Sequence, residues 1–295
     1  MISSALAATL SRRDVHYGWV VAAVTFLTML VTAGAMGAPG VFMVPLQKEF
    51  GWNAADISSA LALRFALFGL MGPFAAAFMN HFGVRRVMVV ALTVVISGLL
   101  LSIGMNQLWQ LVMLWGVVVG LGTGLTAMVL GATVATRWFS TRRGLVVGML
   151  SASSATGQLV FLPALASLTE SHGWRFALAF VCCALGLALV VVALLMRNRP
   201  ADLGLMAYGA KEAAPVATRQ SLGQMLLSPV RILREVSGSR AFWVLFATFF
   251  ICGASTNGLI QTHFISLCGD YGLAPVMAAS VLATMGIFDF FGTIG

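Results

Sequence analysis

Two charged side chains interrupt long apolar stretches, and they are the residues of this sequence best placed to do chemistry. Arg64 follows Ala-Leu-Ala-Leu, and Asp289 follows Gly-Ile-Phe. A guanidinium can hold a carboxylate by two parallel charge-assisted hydrogen bonds. A carboxyl group within a membrane span can take part in a proton relay. Arg64 is therefore a candidate for binding an organic anion, and Asp289 is a candidate for proton coupling.

Both residues also have a structural interpretation. Arg64 lies about 12 Å into its apolar stretch at about 1.5 Å per residue, too deep for its head group to reach water easily. Such a cation faces either a ligand-binding cavity or a partner on a neighbouring helix, and the sequence leaves both alternatives open. Asp289 is either a buried carboxyl group, which accepts a proton or pairs with a cation on another helix, or a carboxylate solvated at the end of its stretch.

Three amide side chains form a second candidate set. Asn257 and Gln261 are four residues apart, so they share one face if their stretch is helical. Gln158 lies midway along another apolar stretch. We expect these amides either to hydrogen-bond a substrate or to join neighbouring helices.

The elements that carry these residues must be membrane-spanning helices. Hydrophobic residues make up 60% of the chain and charged residues 9%, whereas a soluble domain contains about 25% charged residues. A spanning helix needs about 20 apolar residues, and lipid leaves no exposed backbone group unpaired. Eight stretches meet this need, at residues 18–44, 57–79, 87–104, 108–135, 144–169, 174–196, 241–267 and 274–295.

The distribution of basic residues predicts the orientation of these spans. Of the 17 basic residues, 14 lie on one set of alternate connections, Lys48 and Arg175 lie on the other set, and Arg64 lies within a span. Basic connections stay in the cytoplasm. We therefore expect a cytoplasmic N-terminus, and this topology explains the formal net charge of +8 without a nucleic-acid partner.

One long polar segment divides the chain. Residues 197–239 contain three prolines and nine charged residues, a composition typical of a linker. We predict an N-terminal six-helix bundle at residues 1–196, a cytoplasmic linker at 197–239 and two helices of an incomplete C-terminal bundle at 240–295. Carriers built from two repeated halves have this layout.

Glycine is frequent in two of the predicted spans. The first contains Gly34, Gly37 and Gly40 beside Pro39, a pattern that favours a flexible helix lining a cavity. The fourth has glycines at residues 116, 120 and 124, where four-residue spacing predicts close helix packing.

The connection between the second and third spans resembles a signature of the major facilitator superfamily. Residues 76–86 read Ala-Ala-Phe-Met-Asn-His-Phe-Gly-Val-Arg-Arg, and the family pattern is G-x-x-x-D-[RK]-x-G-x-[RK]-[RK]. Gly83, Arg85 and Arg86 match this pattern, whereas Asn80 stands where the family has an acid. The resemblance implies that these four residues belong to a cytoplasmic gating loop.

Other segments resemble the monocarboxylate-porter branch of that superfamily. Residues 14–19 read Asp-Val-His-Tyr-Gly-Trp, similar to the pattern [DE]-G-[GS]-[WF]-[GA]-W before the first helix of that branch. Residues 138–148 read Trp-Phe-Ser-Thr-Arg-Arg-Gly-Leu-Val-Val-Gly, similar to its pattern [YF]-F-x-K-R-R-x-L-A-x-G before the fifth helix. Segments 173–175 and 199–204 also resemble bacterial members, including oxalate and formate exchangers.

The resemblance implies an all-α membrane protein with the major facilitator fold. The chain would supply the six-helix N-terminal half and the first two helices of the C-terminal half, as a C-terminally truncated fragment of a twelve-helix carrier. The implied function is secondary active transport of a small organic anion, a monocarboxylate or a related compound, by alternating access. The implied location is a bacterial cytoplasmic membrane, with protons as the expected partner for symport.

Other classes of function remain as alternatives. One is a membrane sensor or a remnant that does not transport, and another is a carrier of the same superfamily for a different small solute. A membrane enzyme is disfavoured because the four histidines are scattered and no acid lies at metal-binding spacing from them. We therefore predict no catalytic site, cofactor or metal.

Overall fold

The structure is a computed structural model that describes residues 2–12, 15–126, 128–210 and 222–294. Within these ranges almost all of the chain is helical, and the strand-type pairing consists of an isolated bridge between Phe139 and Tyr208. Helices are the expected solution because each satisfies its own backbone hydrogen bonds in an apolar medium.

We number the helices of the described chain α1 to α10 in order. Their bounds are α1 Ile2–Ser11, α2 Gly18–Phe50, α3 Ala54–Phe82, α4 Val84–Ser102, α5 Leu108–Trp138, α6 Arg143–His172, α7 Trp174–Leu195, α8 Leu222–Val236, α9 Arg240–Asp270 and α10 Pro275–Ile294.

The helices agree with the predicted spans. Within the described residues, seven helices, α2 to α7 and α9, are long and apolar enough to cross a membrane. The eighth predicted span corresponds to α10, which has 20 residues and a described apolar part at Pro275–Phe288. Helix α2 is longer than predicted because Gln47, Lys48 and Glu49 continue its helical path to Phe50.

Two short connections depend on glycine. Gly83 joins α3 to α4 with a φ of 88°, and Gly173 joins α6 to α7 with a φ of 87°. Glycine adopts a positive φ readily because it has no Cβ. Each pair of helices can therefore reverse direction within a single residue.

Helix α2 forms the centre of the bundle. Its side chains at Val21, Phe42, Met43 and Leu46 are fully buried, and it packs against α6, α7 and α9. Helix α10 in turn packs along α6. The two helices that follow the predicted linker therefore join the first bundle through α2 and α6.

Helices α5 and α3 approach each other closely at the predicted row of glycines. A Cβ at Gly116 would lie 3.2 Å from the carbonyl oxygen of Ala60. A Cβ at Gly120 would lie 3.1 Å from the Cα of Arg64. Because Gly116 and Gly120 have no side chains, the backbone of α5 can touch the backbone of α3 there, as predicted.

The glycines of α2 also serve close packing, in contrast to the predicted role of lining a cavity. A Cβ at Gly34 would lie 2.5 Å from the ring of Phe161, and one at Gly37 would lie 3.0 Å from Leu162. Both contacts are with α6. In this structure the small residues of α2 bring α6 near, and they do not border an open path.

Replacing Gly157 with alanine is expected to destabilise the protein by about 1–3 kcal/mol, the usual range for an overpacked interior. The new Cβ would overlap the carbonyl oxygen of Leu30 in α2 and lie 2.9 Å from the Cβ of Ala33. Thermal unfolding in detergent, followed by circular dichroism, measures the effect. Gly186→Ala is the matched control, since no atom lies within 4 Å of its new Cβ, and an equal loss in both variants would contradict the packing argument.

Candidate functional site

Arg64 is held in α3 at the contact with α5 and α2. Its side chain is 2% exposed, and one terminal nitrogen donates a hydrogen bond of 2.6 Å to the carbonyl oxygen of Met36 in α2. The guanidinium also lies 5.1 Å from the ring centre of Phe65. Gly120 allows this approach, because a Cβ there would lie 3.1 Å from the Cα of Arg64 and press on the α3 backbone.

The guanidinium of Arg64 is incompletely satisfied. Its Nε is buried and has no hydrogen-bond partner among the described residues. The ion pair found within the described chain joins Arg175 and Glu49 and does not involve Arg64. A buried cation with a free donor can accept an anionic ligand, which would supply both the missing charge and the missing acceptor.

The carbonyl that Arg64 contacts lies in a weakened part of α2. Pro39 has no backbone N–H, so it cannot donate to the carbonyl of Ala35, one residue before Met36. Proline inside a helix disturbs the hydrogen bonds of the preceding turn. The Arg64 side chain therefore binds to a turn of α2 whose carbonyls are accessible to other donors.

The structure brings two of the predicted amides together. The Nε2 of Gln261 in α9 donates a hydrogen bond of 2.9 Å to the Oε1 of Gln158 in α6. The backbone of Gln261 also contacts α2, where a Cβ at Gly40 would overlap its carbonyl oxygen. Helices α2, α6 and α9 meet at this point.

Asn257 lies on α9 within a π-helical stretch, Ala254–Ile260. The hydroxyl of Thr262 donates to the carbonyl oxygen of Asn257 at 2.9 Å, five residues earlier in the chain. Such π-helical turns are frequent at functional sites because they redirect side chains. A second stretch of this type, Val112–Val119 in α5, contains Gly116 on the packing surface with α3.

One turn of α2 links the two candidate sets. Arg64 binds the carbonyl of Met36, and Gln261 contacts Gly40, four residues further along α2. That separation is about 6 Å at about 1.5 Å per residue. The buried cation and the amide pair therefore lie at nearly the same level of the bundle, which the sequence did not indicate.

The side chain of Asp289 lies outside the described residues, although its helix is described. The preceding turn of α10 contacts α6, where a Cβ at Gly286 would lie 2.7 Å from the carbonyl oxygen of Ala155. Ala155 precedes Gln158 by three residues. The backbone of α10 thus approaches the part of α6 that carries the amide pair.

The predicted gating loop is closely connected to its surroundings. The Oδ1 of Asn80 accepts a hydrogen bond of 2.6 Å from Arg137, which also donates to the carbonyl of Met79 at 3.1 Å. Arg85 donates its backbone N–H to Asn198 at 2.9 Å and its guanidinium to the carbonyl of Ala193. Arg86 is exposed. We name this part of the molecule the Arg85 end.

Two residues of this network were missed by the sequence analysis. In the sequence Arg137 is one basic residue among many on its side of the membrane. In the structure its position at the end of α5 places it beside Asn80. Asn198 is held by Asp202, whose carboxylate accepts from the backbone N–H groups of Asn198 and Arg199. The helical turn Pro200–Leu203 forms this cap, and a proline followed two residues later by an acid was a signal for it.

Residues 197–210 are fixed to the first bundle at the Arg85 end. Tyr208 exchanges backbone hydrogen bonds with Trp138 and Ser140, at 2.8 and 2.9 Å. The hydroxyl of Tyr17 donates to Leu195 at 2.7 Å. Burial raises the pKa of Tyr17, and Arg197 opposes that effect. A phenol with a raised pKa stays protonated at neutral pH and keeps its role as donor.

The opposite end carries an exposed clamp around Glu49. Its carboxylate accepts from Arg175 at 2.6 Å and from the indole of Trp174 at 2.7 Å. Arg175 also donates to the carbonyl of Ile103 at 3.0 Å. These contacts join the end of α2 to the start of α7 and to the α4–α5 connection. We interpret them as contacts that stabilise this end of the bundle and not as a ligand-binding site.

Comparison with known proteins assigns the chain to a family. The family model described as Major Facilitator Superfamily matches residues 25–295. The chain belongs to the major facilitator superfamily. It is accordingly a multi-pass membrane protein, and the fold inferred from the gating-loop and porter motifs is confirmed.

Solved structures agree with this facilitator fold. The xylose transporter XylE from E. coli, in a partially occluded inward-open conformation, matches with a TM-score of 0.66, 15% identity and coverage of 93% of this chain and 71% of that one. A D-xylose-proton symporter matches with a TM-score of 0.61, 15% identity and coverage of 93% and 67%. At this identity the likeness concerns the fold alone.

Curated relatives of this facilitator include proteins from animals and fungi. Monocarboxylate transporter 9 of Mus musculus is 32% identical over 186 residues, which are 62% of this chain and 36% of that protein. Monocarboxylate transporter 7 of Homo sapiens is 29% identical over 57% of this chain and 32% of its own length. The MFS-type transporter hasB of Aspergillus fumigatus is 31% identical over 63% and 42%. The chain thus matches about a third to two fifths of the length of these relatives.

The pair of Gln158 and Gln261 is expected to be coupled energetically. A double-mutant cycle with Gln158→Leu and Gln261→Leu should give a coupling free energy of about 0.6 kcal/mol and at most about 1.7 kcal/mol, as for other hydrogen bonds between membrane helices. Unfolding by sodium dodecyl sulfate in mixed micelles provides the four free energies. Strictly additive variants would show that α6 and α9 do not share this bond in the membrane.

Proposed function

We propose that this facilitator is a secondary active transporter of a small organic anion, a monocarboxylate or a related compound, that works by alternating access. The observation that carries the proposal is Arg64, a buried guanidinium with an unpartnered Nε. The names of the relatives from mouse and human favour a monocarboxylate. A different small solute remains the alternative, and a sensor is disfavoured by the family.

Arg64 would bind the carboxylate of the substrate. A charge buried without a counterion is costly, and membrane proteins retain such a residue where it meets a ligand or a partner. Arg64 uses one donor on Met36 and keeps Nε for another acceptor. A carboxylate would neutralise the guanidinium and accept a hydrogen bond from Nε. Both the ionic attraction and the hydrogen bond would favour the bound state.

The amides would orient the substrate and link its binding to movement. Gln158 belongs to the first bundle, whereas Asn257 and Gln261 belong to α9, after the predicted linker. The bond between Gln158 and Gln261 joins helices on the two sides of that division. Alternating access moves one half of such a carrier against the other around a central site. A substrate polar group that replaced this bond would therefore affect how the halves separate.

The Arg85 end would act as the cytoplasmic gate. Asn80 and Arg137 join α3 to α5, and Arg85 joins the α3–α4 connection to the segment after α7. Gly83 permits the turn on which these contacts depend, and Arg86 remains exposed beside it. The excess of basic residues on this side supports a cytoplasmic location, with the N-terminus on the same side of a bacterial cytoplasmic membrane.

Asp289 would couple transport to protons. It is the sole acid within the predicted spans. Acidic residues inside a membrane are costly to bury when charged, and they commonly serve in proton relays. Protonation in one conformation and release in the other would give symport of the anion with a proton. This role is independent of the anion contact assigned to Arg64.

Replacing Arg64 with alanine is expected to lower kcat/KM for uptake of the best carboxylate by about 10- to 150-fold. This range corresponds to about 1.5–3 kcal/mol for a hydrogen bond to a charged group. The measurement is uptake of a panel of radiolabelled carboxylates into proteoliposomes, using the protein encoded by the complete reading frame. Arg64→Lys should retain part of the activity, since it keeps the charge but loses the planar fork.

Arg12→Gln is the matched control for loss of a positive charge, because Arg12 is exposed and lies outside the proposed site. Monodispersity on size-exclusion chromatography identifies variants that fail to fold. Unchanged affinity and rate in a folded Arg64→Ala protein would contradict the substrate role. Failure of the unmodified protein to transport any organic anion would contradict the substrate class.

Asp289→Asn is expected to abolish the pH dependence of uptake while leaving anion exchange intact. In the unmodified protein, uptake should rise as the external pH falls, because symport uses the inward proton gradient. The measurement compares net uptake at several external pH values with counterflow at equal pH. Asp270→Asn, at the exposed end of α9, is the control, and a persistent pH dependence in Asp289→Asn would exclude this residue as the coupling group.

A further inference from the structure

Helix α8 has an apolar surface that the described protein does not cover. Val230, Leu233 and Val236 are 52%, 38% and 41% exposed, and Ile232 beside them is 57% exposed. Residues three or four apart lie on the same side of a helix, and Ile232 lies four residues before Val236. These four residues, which we name the α8 stripe, therefore form one continuous apolar strip that requires a partner.

The opposite side of α8 is charged. Arg231, Arg234 and Glu235 are exposed, and Arg234 borders the α8 stripe because it lies four residues after Val230. Among these groups no ion pair within 4.0 Å is present in the described chain. A helix with an apolar face edged by arginine matches the boundary between acyl chains and anionic head groups.

The position of α8 places it at the membrane surface. A turn of three residues, 237–239, separates it from α9, which crosses the membrane from Arg240. The indole of Trp243 donates a hydrogen bond of 2.8 Å to the carbonyl of Ser237. Tryptophan is enriched at the level of lipid head groups, so the C-terminal end of α8 is held at that level.

The beginning of α9 is also apolar and exposed. Phe246, Phe249 and Phe250 are 52%, 74% and 65% exposed, and they follow Trp243 within two turns. Helix α8 also contacts α3, and among its side chains at residues 227–236, which the structure describes, Pro229 is buried. Pro229 lies three residues before Ile232 and four before Leu233, so the N-terminal end of the stripe's face meets the bundle, while the stripe itself stays 38–57% exposed.

We propose that α8 is an interfacial helix that lies in the head-group layer and binds anionic lipids. The α8 stripe would enter the acyl boundary, and Arg231 and Arg234 would contact lipid phosphates. The proposal does not involve Arg64 and does not depend on which solute is carried. The competing explanation is that another protein covers the α8 stripe, and spin labelling distinguishes contact with protein from contact with lipid.

The test uses single cysteines in a protein whose four native cysteines are replaced by alanine. Nitroxide labels are placed at Val230→Cys, Leu233→Cys, Arg231→Cys and Glu235→Cys. The labelled proteins are reconstituted into vesicles of phosphatidylcholine, alone or with added phosphatidylglycerol. Accessibility to oxygen reports contact with lipid, and accessibility to a nickel complex reports contact with water. We expect positions 230 and 233 to favour oxygen, and positions 231 and 235 to favour nickel.

Phosphatidylglycerol should draw the labels at positions 230 and 233 deeper into the bilayer. Removal of either arginine, by Arg231→Gln or Arg234→Gln, should raise the lipid fraction needed for half of this shift by up to about fivefold, the contribution of one arginine near an anionic surface. Arg12→Gln, which removes an exposed arginine elsewhere, should leave the shift unchanged.

Three results would overturn the proposal. High nickel accessibility at all four positions would mean that α8 lies in water. Low accessibility to both reagents at positions 230 and 233 would mean that protein covers the stripe. A depth that does not respond to phosphatidylglycerol, or responds equally after Arg231→Gln and Arg12→Gln, would exclude binding of anionic lipid by these arginines.

Discussion

Glycine allows the helix backbones of this bundle to approach each other closely, and the remaining contacts follow from that approach. Gly157 lets α6 touch α2, Gly40 lets α9 touch α2, and Gly286 lets α10 touch α6. Without a strong hydrophobic force between helices in lipid, packing of this kind supplies much of their association. The same contacts bring polar groups from separate helices to one level. The close packing of the helices and the grouping of polar residues at the candidate site therefore have the same cause.

Arg64 illustrates how that packing holds a charge inside the bundle. Gly120 allows α5 to lie against the backbone of α3, and the guanidinium is then directed to the Met36 carbonyl in α2. The helices exclude water and leave Nε without a protein acceptor. An anion at this position would meet a donor that is already oriented and desolvated. Such preorganisation lowers the entropic cost of binding.

The two ends of the bundle are stabilised by different means. At one end an ion pair and cation–π contacts surround Glu49 and Arg175, with the guanidinium 4.4 Å from the ring centre of Trp174. At the Arg85 end arginines bind mainly amides and carbonyls, as at Asn80 and Asn198. Hydrogen bonds to neutral acceptors are weaker than those between charges. This difference is consistent with the gating role proposed for the Arg85 end.

The membrane class, the positions of the spans and the family can be read from the amino-acid sequence, because apolar stretches, basic connections and local motifs are local features of the chain. Arg64 can be identified in the same way, since a charge within a span is visible without coordinates. The three-dimensional structure was needed to show that Gln158 bonds to Gln261, that Arg137 bonds to Asn80, and that the glycines of α2 pack tightly. Those partners lie far apart in sequence, and no local pattern states which faces of two helices meet. Their contacts follow from the three-dimensional packing of the bundle.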